Sequence, residues 1–254
     1  MGIYFYLGNA FPRLSLRAKP DISFEELKVM FEINLSKADL KKVKIFRTYI
    51  DITNLRLLWL GKEIDPHGNY NERELEDNIL TKTNLPYFVF EFLDRYENKE
   101  DRLKYFSFLT VNFLNRVIKK NKGFLNFYFD FEKKSRLILT ALRAKKLKRD
   151  ISFELQFEDL TDDFVAYILS QKDSDNIEPP KEYLQIKNIY IKNINEPNKM
   201  LYELLEYKFN LIEEFSKDKP FTIDQILSYA ALLMIAEDFN KLSIDEGKQI
   251  IEKL

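Results

Sequence analysis

Apolar residues recur every three to four positions along most of this chain, the spacing that gathers them on one face of an α-helix. Leu103, Phe106, Leu109, Phe113 and Val117 keep that register through residues 98–121. After Gly123 the series resumes at Phe124, Phe127, Tyr128 and Phe131 and continues through Leu137, Leu139 and Leu142. Leu201, Leu204, Leu205, Leu211, Ile212 and Phe215 make a further stripe. Helix signals punctuate these runs. Ser23-Phe-Glu-Glu26 reads as a capping box, in which hydroxyl and carboxylate satisfy the free N–H groups of a helix start. Ser36-Lys-Ala-Asp39 is a weaker version, opening a long helix through Leu40, Val43, Phe46 and Ile50 to Leu57 or Leu58, with Gly61 as its stop. Asn71 caps a short helix to Leu80, and Asn84-Leu-Pro86 starts another.

The last sixty residues read as three helices, divided by a stop at Lys219-Pro220 and a restart at Ser243-Ile-Asp-Glu246. Ile3 to Leu7 is apolar and aromatic and reads as a short strand or an extended segment. The expected fold is therefore all-α and elongated, with at most one N-terminal strand. It is one helical protein over 1–254, divisible into lobes 1–96, 97–175 and 176–254. The polar, double-proline stretch from Asp173 to Lys181 is the best linker or flexible loop.

Composition narrows the chemistry. Forty basic residues against 41 acidic ones leave a formal charge of −1, which offers no overall field for polyphosphate and disfavours nucleic-acid binding. The absence of cysteine removes disulfides, thiolate nucleophiles and Cys-type zinc sites. Six scattered glycines form no phosphate-cradling motif, so dinucleotide and P-loop sites are not expected. The start has only a short apolar run with no basic segment before it, and the run Tyr229–Ala236 is far below the roughly 20 residues of a membrane span. A cytoplasmic protein, at most peripheral at the inner face of the cell membrane, is the expectation.

Individual candidates are modest. His67 is the single histidine and sits in a hydrophilic turn between proline and glycine, where a structural role outweighs a lone base paired with Asp65. The pairs Glu25-Glu26, Asp162-Asp163, Glu213-Glu214 and Glu237-Asp238 point about 100° apart on a helix, so solvated faces are the better reading than metal ligation. No catalytic, cofactor-binding or metal-binding residue is expected. Trp59 reads first as core and second as an interface anchor. Basic residues cluster at Lys119, Lys120 and Lys122 and again at Arg143, Lys145, Lys146, Lys148 and Arg149. Helix ends favour cations there, and the alternative is an acidic partner or anionic lipid. An internal echo recurs three times: Asp51-x-x-Asn54 with Arg56, Glu132-x-x-Ser135 with Arg136, and Glu237-x-x-Asn240 with Lys241.

Several segments, in this order, carry a resemblance that covers the whole chain: YFYLGNAFPRLSL, KPDISFEEL, the stretch from Asp51 to Asn69 with Glu74-Leu-Glu76 after it, FYFDFEKKSRLILTALRAKKL, and FTIDQILSYAALLMIAEDFNKLSIDEGKQII. They resemble an uncharacterised protein family encoded in bacterial V-type ATPase gene clusters. Those clusters lack the usual central-stalk adaptor, the helical funnel that joins the rotating stalk to the membrane ring. That adaptor is built from repeated helical units with an acidic-x-x-Asn pattern similar to the three echoes, so the resemblance implies an adaptor of the same kind. It implies a non-enzymatic partner of the V-type ATPase stalk and membrane-ring subunits, with no small-molecule substrate. The candidate contacts are then Asp51, Asn54, Arg56, Trp59, Arg143, Lys145, Lys146, Lys148 and Arg149. One departure stands out: Glu237-Asp238-Phe239 occupies a place where the family tends to have a basic and an aromatic residue. The alternatives are a peripheral scaffold or assembly factor that binds anionic lipid or another part of the ATPase, and an enzyme with a carboxylate site.

Overall fold

A computed structural model describes residues 4–251 of the chain, and the side chains as far as Leu242. Helix makes up 69% of it, and the described residues contain no strand, so the fold is all-α. In chain order the helices are α1 (Phe5–Ala10), α2 (Phe24–Asn34), α3 (Lys37–Leu60), α4 (Glu72–Thr81) and α5 (Tyr87–Arg95). There follow α6 (Lys99–Lys104), α7 (Ser107–Lys120), α8 (Phe124–Lys146), α9 (Ile151–Glu154) and α10 (Asp163–Leu169). A single 3-10 turn at Lys181–Tyr183 leads into α11 (Leu184–Lys192), α12 (Pro197–Ser216) and α13 (Ile223–Ile251). No helix among the described residues is long and apolar enough to cross a membrane.

The chain divides into two compact units, one of residues 1–40 and 180–254 and the other of residues 41–179. One edge of this division falls inside the expected 173–181 linker, and no edge falls near 96. The linker is a packed loop: Ile177 is fully buried, and the Gln171 side chain both accepts from the Glu178 N–H and donates to its carbonyl.

The first unit is organised by α13. Ile226, Leu227 and every residue from Tyr229 to Ala236 are buried, so the helix is apolar all round and sits at the centre of its unit. α1, α2 and α12 pack on it, contributing Leu7, then Phe24, Leu27 and Phe31, then Phe209 and Ile212. Two expectations change here. Phe5–Ala10 is a helix and not a strand, while Ile3 lies outside the described residues. The Tyr4 N–H donates to the Phe221 carbonyl, Phe5 packs against the Phe221 ring, and a Cβ on Gly8 would meet that ring at 2.8 Å. These contacts hold the segment as a turn of helix against α13, with no strand to pair with. The C-terminal region holds two helices where three were expected, because α13 runs unbroken through Ser243–Glu246. A Ser-x-x-Glu sequence also fits a helix interior, and only the backbone distinguishes the two.

The second unit is an aromatic-rich bundle around α8, against which α7, α9 and α10 pack. Phe46 of α3 meets Phe124, Tyr128 and Phe129, and Tyr49 meets Phe113 and Phe129. The stripe at 98–121 is two helices, α6 and α7, broken at Tyr105 and Phe106. The break lets Tyr105 stack on Tyr96 and meet Phe157 edge-on, contacts that a straight helix would forfeit.

Candidate functional site

The most built polar arrangement in the second unit is the grip of α3 on the loop that follows it. Gly61 ends α3 with φ +66, where the Gly61 and Lys62 N–H groups bond back to the Leu58 and Leu57 carbonyls, and the chain folds beside the helix. Asn54 is fully buried and spans the loop backbone at one residue, its amide donating to the Asp65 carbonyl and its oxygen accepting from the Asp65 N–H, both at 2.9 Å. Asp51, also fully buried, accepts from the Asn69 backbone at 2.6 Å, from the Asn69 side chain at 2.7 Å and from the Tyr70 N–H at 3.3 Å. Burial pushes its carboxyl up to about 6, against the pull of those donors and of the Arg47 guanidinium. Arg47 completes the grip by donating to the His67 and Gly68 carbonyls. Sequence reasoning missed Arg47; its one signal is a place one helical turn before Asp51.

His67 is not solvated in its turn. It is 5% exposed, with Nδ1 2.8 Å from Asp65 Oδ1 and its N–H donated to the same oxygen. A hydrophilic turn folded onto a long helix is buried by that helix, which local composition does not reveal.

The echo at Glu237 and Asn240 does related work in the first unit. Glu237 accepts from the Phe24 N–H at 2.8 Å, and Asn240 donates to the Ala18 carbonyl at 3.2 Å, so α13 grips the segment entering α2. In both units an acid takes a backbone N–H, of the loop residue Asn69 in one and of Phe24 at the start of α2 in the other, and the asparagine three residues on takes a loop carbonyl. The middle echo departs from this pattern, since the Ser135 hydroxyl is buried without a hydrogen bond among the described residues. α8 instead holds its loop by ion pairs, Lys133 to Asp162 at 2.8 Å and Arg136 to Glu158. Lys133 and Glu158 are both buried, and neither drew attention in the sequence.

The expected contact residues therefore separate. Asp51, Asn54 and Trp59 are buried and work inside their unit, Trp59 stacking on Phe92 and lying under the Arg102 guanidinium. Asp51 and Asn54 are corrected from partner contacts to core residues, and Trp59 takes the core place that was its first reading, because a side chain enclosed by its own unit presents nothing to a docking surface. Arg56 is exposed, its guanidinium 5.8 Å from the Phe106 ring centre. Arg143, Lys146, Lys148 and Arg149 are exposed at the end of α8, and Lys145 is half-buried, donating to the Lys172 carbonyl.

The acidic pairs have local duties. Glu26 closes the α2 capping box, its carboxyl held below the usual range by the Ser23 N–H, while Glu25 pairs with Lys28 and Asp162 caps α10. No group of three or more His, Asp or Glu side chains among the described residues gathers to hold a metal. The first unit has an open cleft of about 420 Å³, lined by Gly8, Phe11, Arg13, Glu213, Lys217 and Tyr229 among others. Its apolar floor is formed where Phe11 stacks on Tyr229 at 4.0 Å. The Tyr229 hydroxyl is buried without a hydrogen bond among the described residues, and burial, helped by Asp21, pushes it up to about 12.

A family model described as "Protein of unknown function (DUF2764)" matches residues 1–254. The chain belongs to this family. A protein of Chlamydia muridarum, described as uncharacterized, is 29% identical over 257 residues, covering 99% of this chain and 97% of the relative. A Chlamydia trachomatis protein is 29% identical over 253 residues, with 97% and 95% covered, and a Chlamydia pneumoniae protein is 28% identical over 257 residues, with 99% and 97% covered. Both are likewise described as uncharacterized. No solved structure matches the chain. The DUF2764 chain is thus similar to these relatives across essentially its whole length.

Proposed function

We propose that this protein is a non-catalytic component or accessory factor of a V-type ATPase, an adaptor joining the central rotor stalk to the membrane ring. The observation that carries the reading is the paired grip of Asp51 with Asn54 and of Glu237 with Asn240. It gives physical work to the acidic-x-x-Asn pattern on which the resemblance to the stalk adaptor rests. Long helices whose neighbouring loops are pinned along their sides are suited to transmit torque and position without deforming. The one carboxyl among the described acids pushed as high as about 6, Asp51, is engaged by a loop and not turned toward a substrate, which favours an adaptor over an enzyme.

The test is gentle purification of the tagged protein from its own cells. The adaptor reading expects V-type ATPase stalk or ring subunits to co-purify in near-stoichiometric amounts. Their consistent absence, with the protein folded and abundant, would contradict it.

A further inference from the structure

We propose that the corner formed by residues 143–154 docks on an anionic lipid bilayer, an activity that goes beyond the adaptor reading and does not depend on it. α8 ends here in a Schellman turn: the Arg149 N–H donates to the Ala144 carbonyl at 2.9 Å and the Lys148 N–H to the Lys145 carbonyl at 3.1 Å. Five consecutive residues, 146–150, are exposed, so the turn projects from its unit. Arg143, Lys146, Lys148 and Arg149 are all exposed on this corner, and the Lys145 ammonium, donating to the Lys172 carbonyl, brings exposed Lys172 beside it. Opposing charges are Asp150, which accepts from the Ser152 N–H, Glu154, which lies 3.5 Å from Arg149 with the guanidinium largely exposed, and exposed Asp173, next to Lys172. Arg143 and Lys148 have no ion-pair partner among the described residues.

Three features separate this corner from an ordinary helix end. The helix dipole favours Arg143, Lys145 and Lys146 in the last turn of α8, but its influence fades beyond that turn and does not account for Lys148 and Arg149. Lys148 occupies the left-handed position of the turn, with φ +53, where glycine is the favoured residue and where α3 uses Gly61. Finally, two large apolar side chains stand in water among the cations, Leu147 at 55% and Phe153 at 52% exposure.

Charge alone would suit an acidic protein or a nucleic acid equally well, and what favours a bilayer is that Leu147 and Phe153 stand beside the cations on a projecting corner. A bilayer uses both kinds of group, since its headgroups attract the cations and the boundary beneath them accepts apolar side chains. A projecting corner also suits a broad planar surface better than a groove. With the whole chain at a formal charge of −1, the attraction is local and orients the molecule with this corner toward the lipid.

The experiment is co-sedimentation of the full-length protein with vesicles of phosphatidylcholine alone and of equal parts phosphatidylcholine and phosphatidylglycerol, at low and high salt. The protein is expected to sediment with the anionic vesicles only and to be released by salt. Each cation at the surface is worth about fivefold in partitioning, so Lys146→Glu with Lys148→Glu should weaken binding by at least roughly thirtyfold. Leu147→Ser with Phe153→Ser, which leaves every charge in place, should weaken it by about tenfold. Unchanged circular dichroism will show that both double variants fold. No sedimentation with anionic vesicles at low salt overturns the proposal, as does binding that survives the charge reversal. Binding indifferent to the Leu147 and Phe153 changes also overturns it, since the corner would then be held to negative charge in general and not seated in a bilayer.

Discussion

Asp51 shows how much a single residue's meaning depends on what covers it. On an isolated helix it would be one more solvated carboxylate, but under the 61–70 loop it is fully buried and its pKa rises from 3.8 to about 6. Below the unfolded value both states hold the proton, so stability does not change with pH through this group and its contribution there is at its largest. Between the two values the unfolded chain releases its proton first, so stability falls as pH rises, by roughly 3 kcal/mol once both states are ionised. The denaturation midpoint should therefore be higher at pH 5 than at pH 7.5, and Asp51→Asn should flatten that difference. A midpoint that rises over this range, with no change in the variant, would remove Asp51 from the account. Gly68 is the steric counterpart, because a Cβ there would lie 2.8 Å from Asp51 Oδ1 and 2.9 Å from Asn54 Nδ2. Gly68→Ala should destabilise the protein by about 1–3 kcal/mol in denaturant titration, since both side chains are held in place by the loop.

At the scale of the element, the signals that act within one helical turn were legible and those that act across a loop were not. Ser23 with Glu26 forms the reciprocal bonds its spacing predicts, Asn71 caps its helix as expected, with Glu74 as a reciprocal partner that sequence reasoning missed, and Gly61 ends α3. The continuity of α13 through Ser243 was hidden, because a capping pattern can also be spelled in a helix interior. The break at Tyr105 was hidden too, since its cause is stacking on Tyr96 and Phe157. The burial of Asn54 depends on Asp65, and the burial of Lys133 on Asp162, 29 residues away. That last pair makes a test of how α8 holds its loop. Asp162→Ala strips the cap of α10 and leaves a buried ammonium unpaired, so it should cost about 3–5 kcal/mol. Lys133→Met removes the buried charge and keeps the volume, while Asp162 keeps its cap bonds to α10 and its partial exposure to water, so it should cost far less. Equal losses in the two variants would mean that the ion pair is not what fixes the α8–α10 packing.

At the scale of the whole molecule, helical class was readable because it rests on repeated local pattern, while the sorting of candidate contacts was not. Asp51, Asn54 and Trp59 belong to the core, and Arg56 and the 143–149 cations belong to the surface, although sequence alone put them in one group. What remains for a partner is a near-neutral chain whose long helices pin their own loops, with exposed cations at the ends of α7 and α8 and the α8 end projecting. The direct test of the adaptor account is retention of purified V-type ATPase stalk and ring subunits on the immobilised protein. The account predicts saturable retention of at least one of them at micromolar concentration, with no ATP hydrolysis by the protein itself. If neither is retained while an unrelated protein is, the account is contradicted.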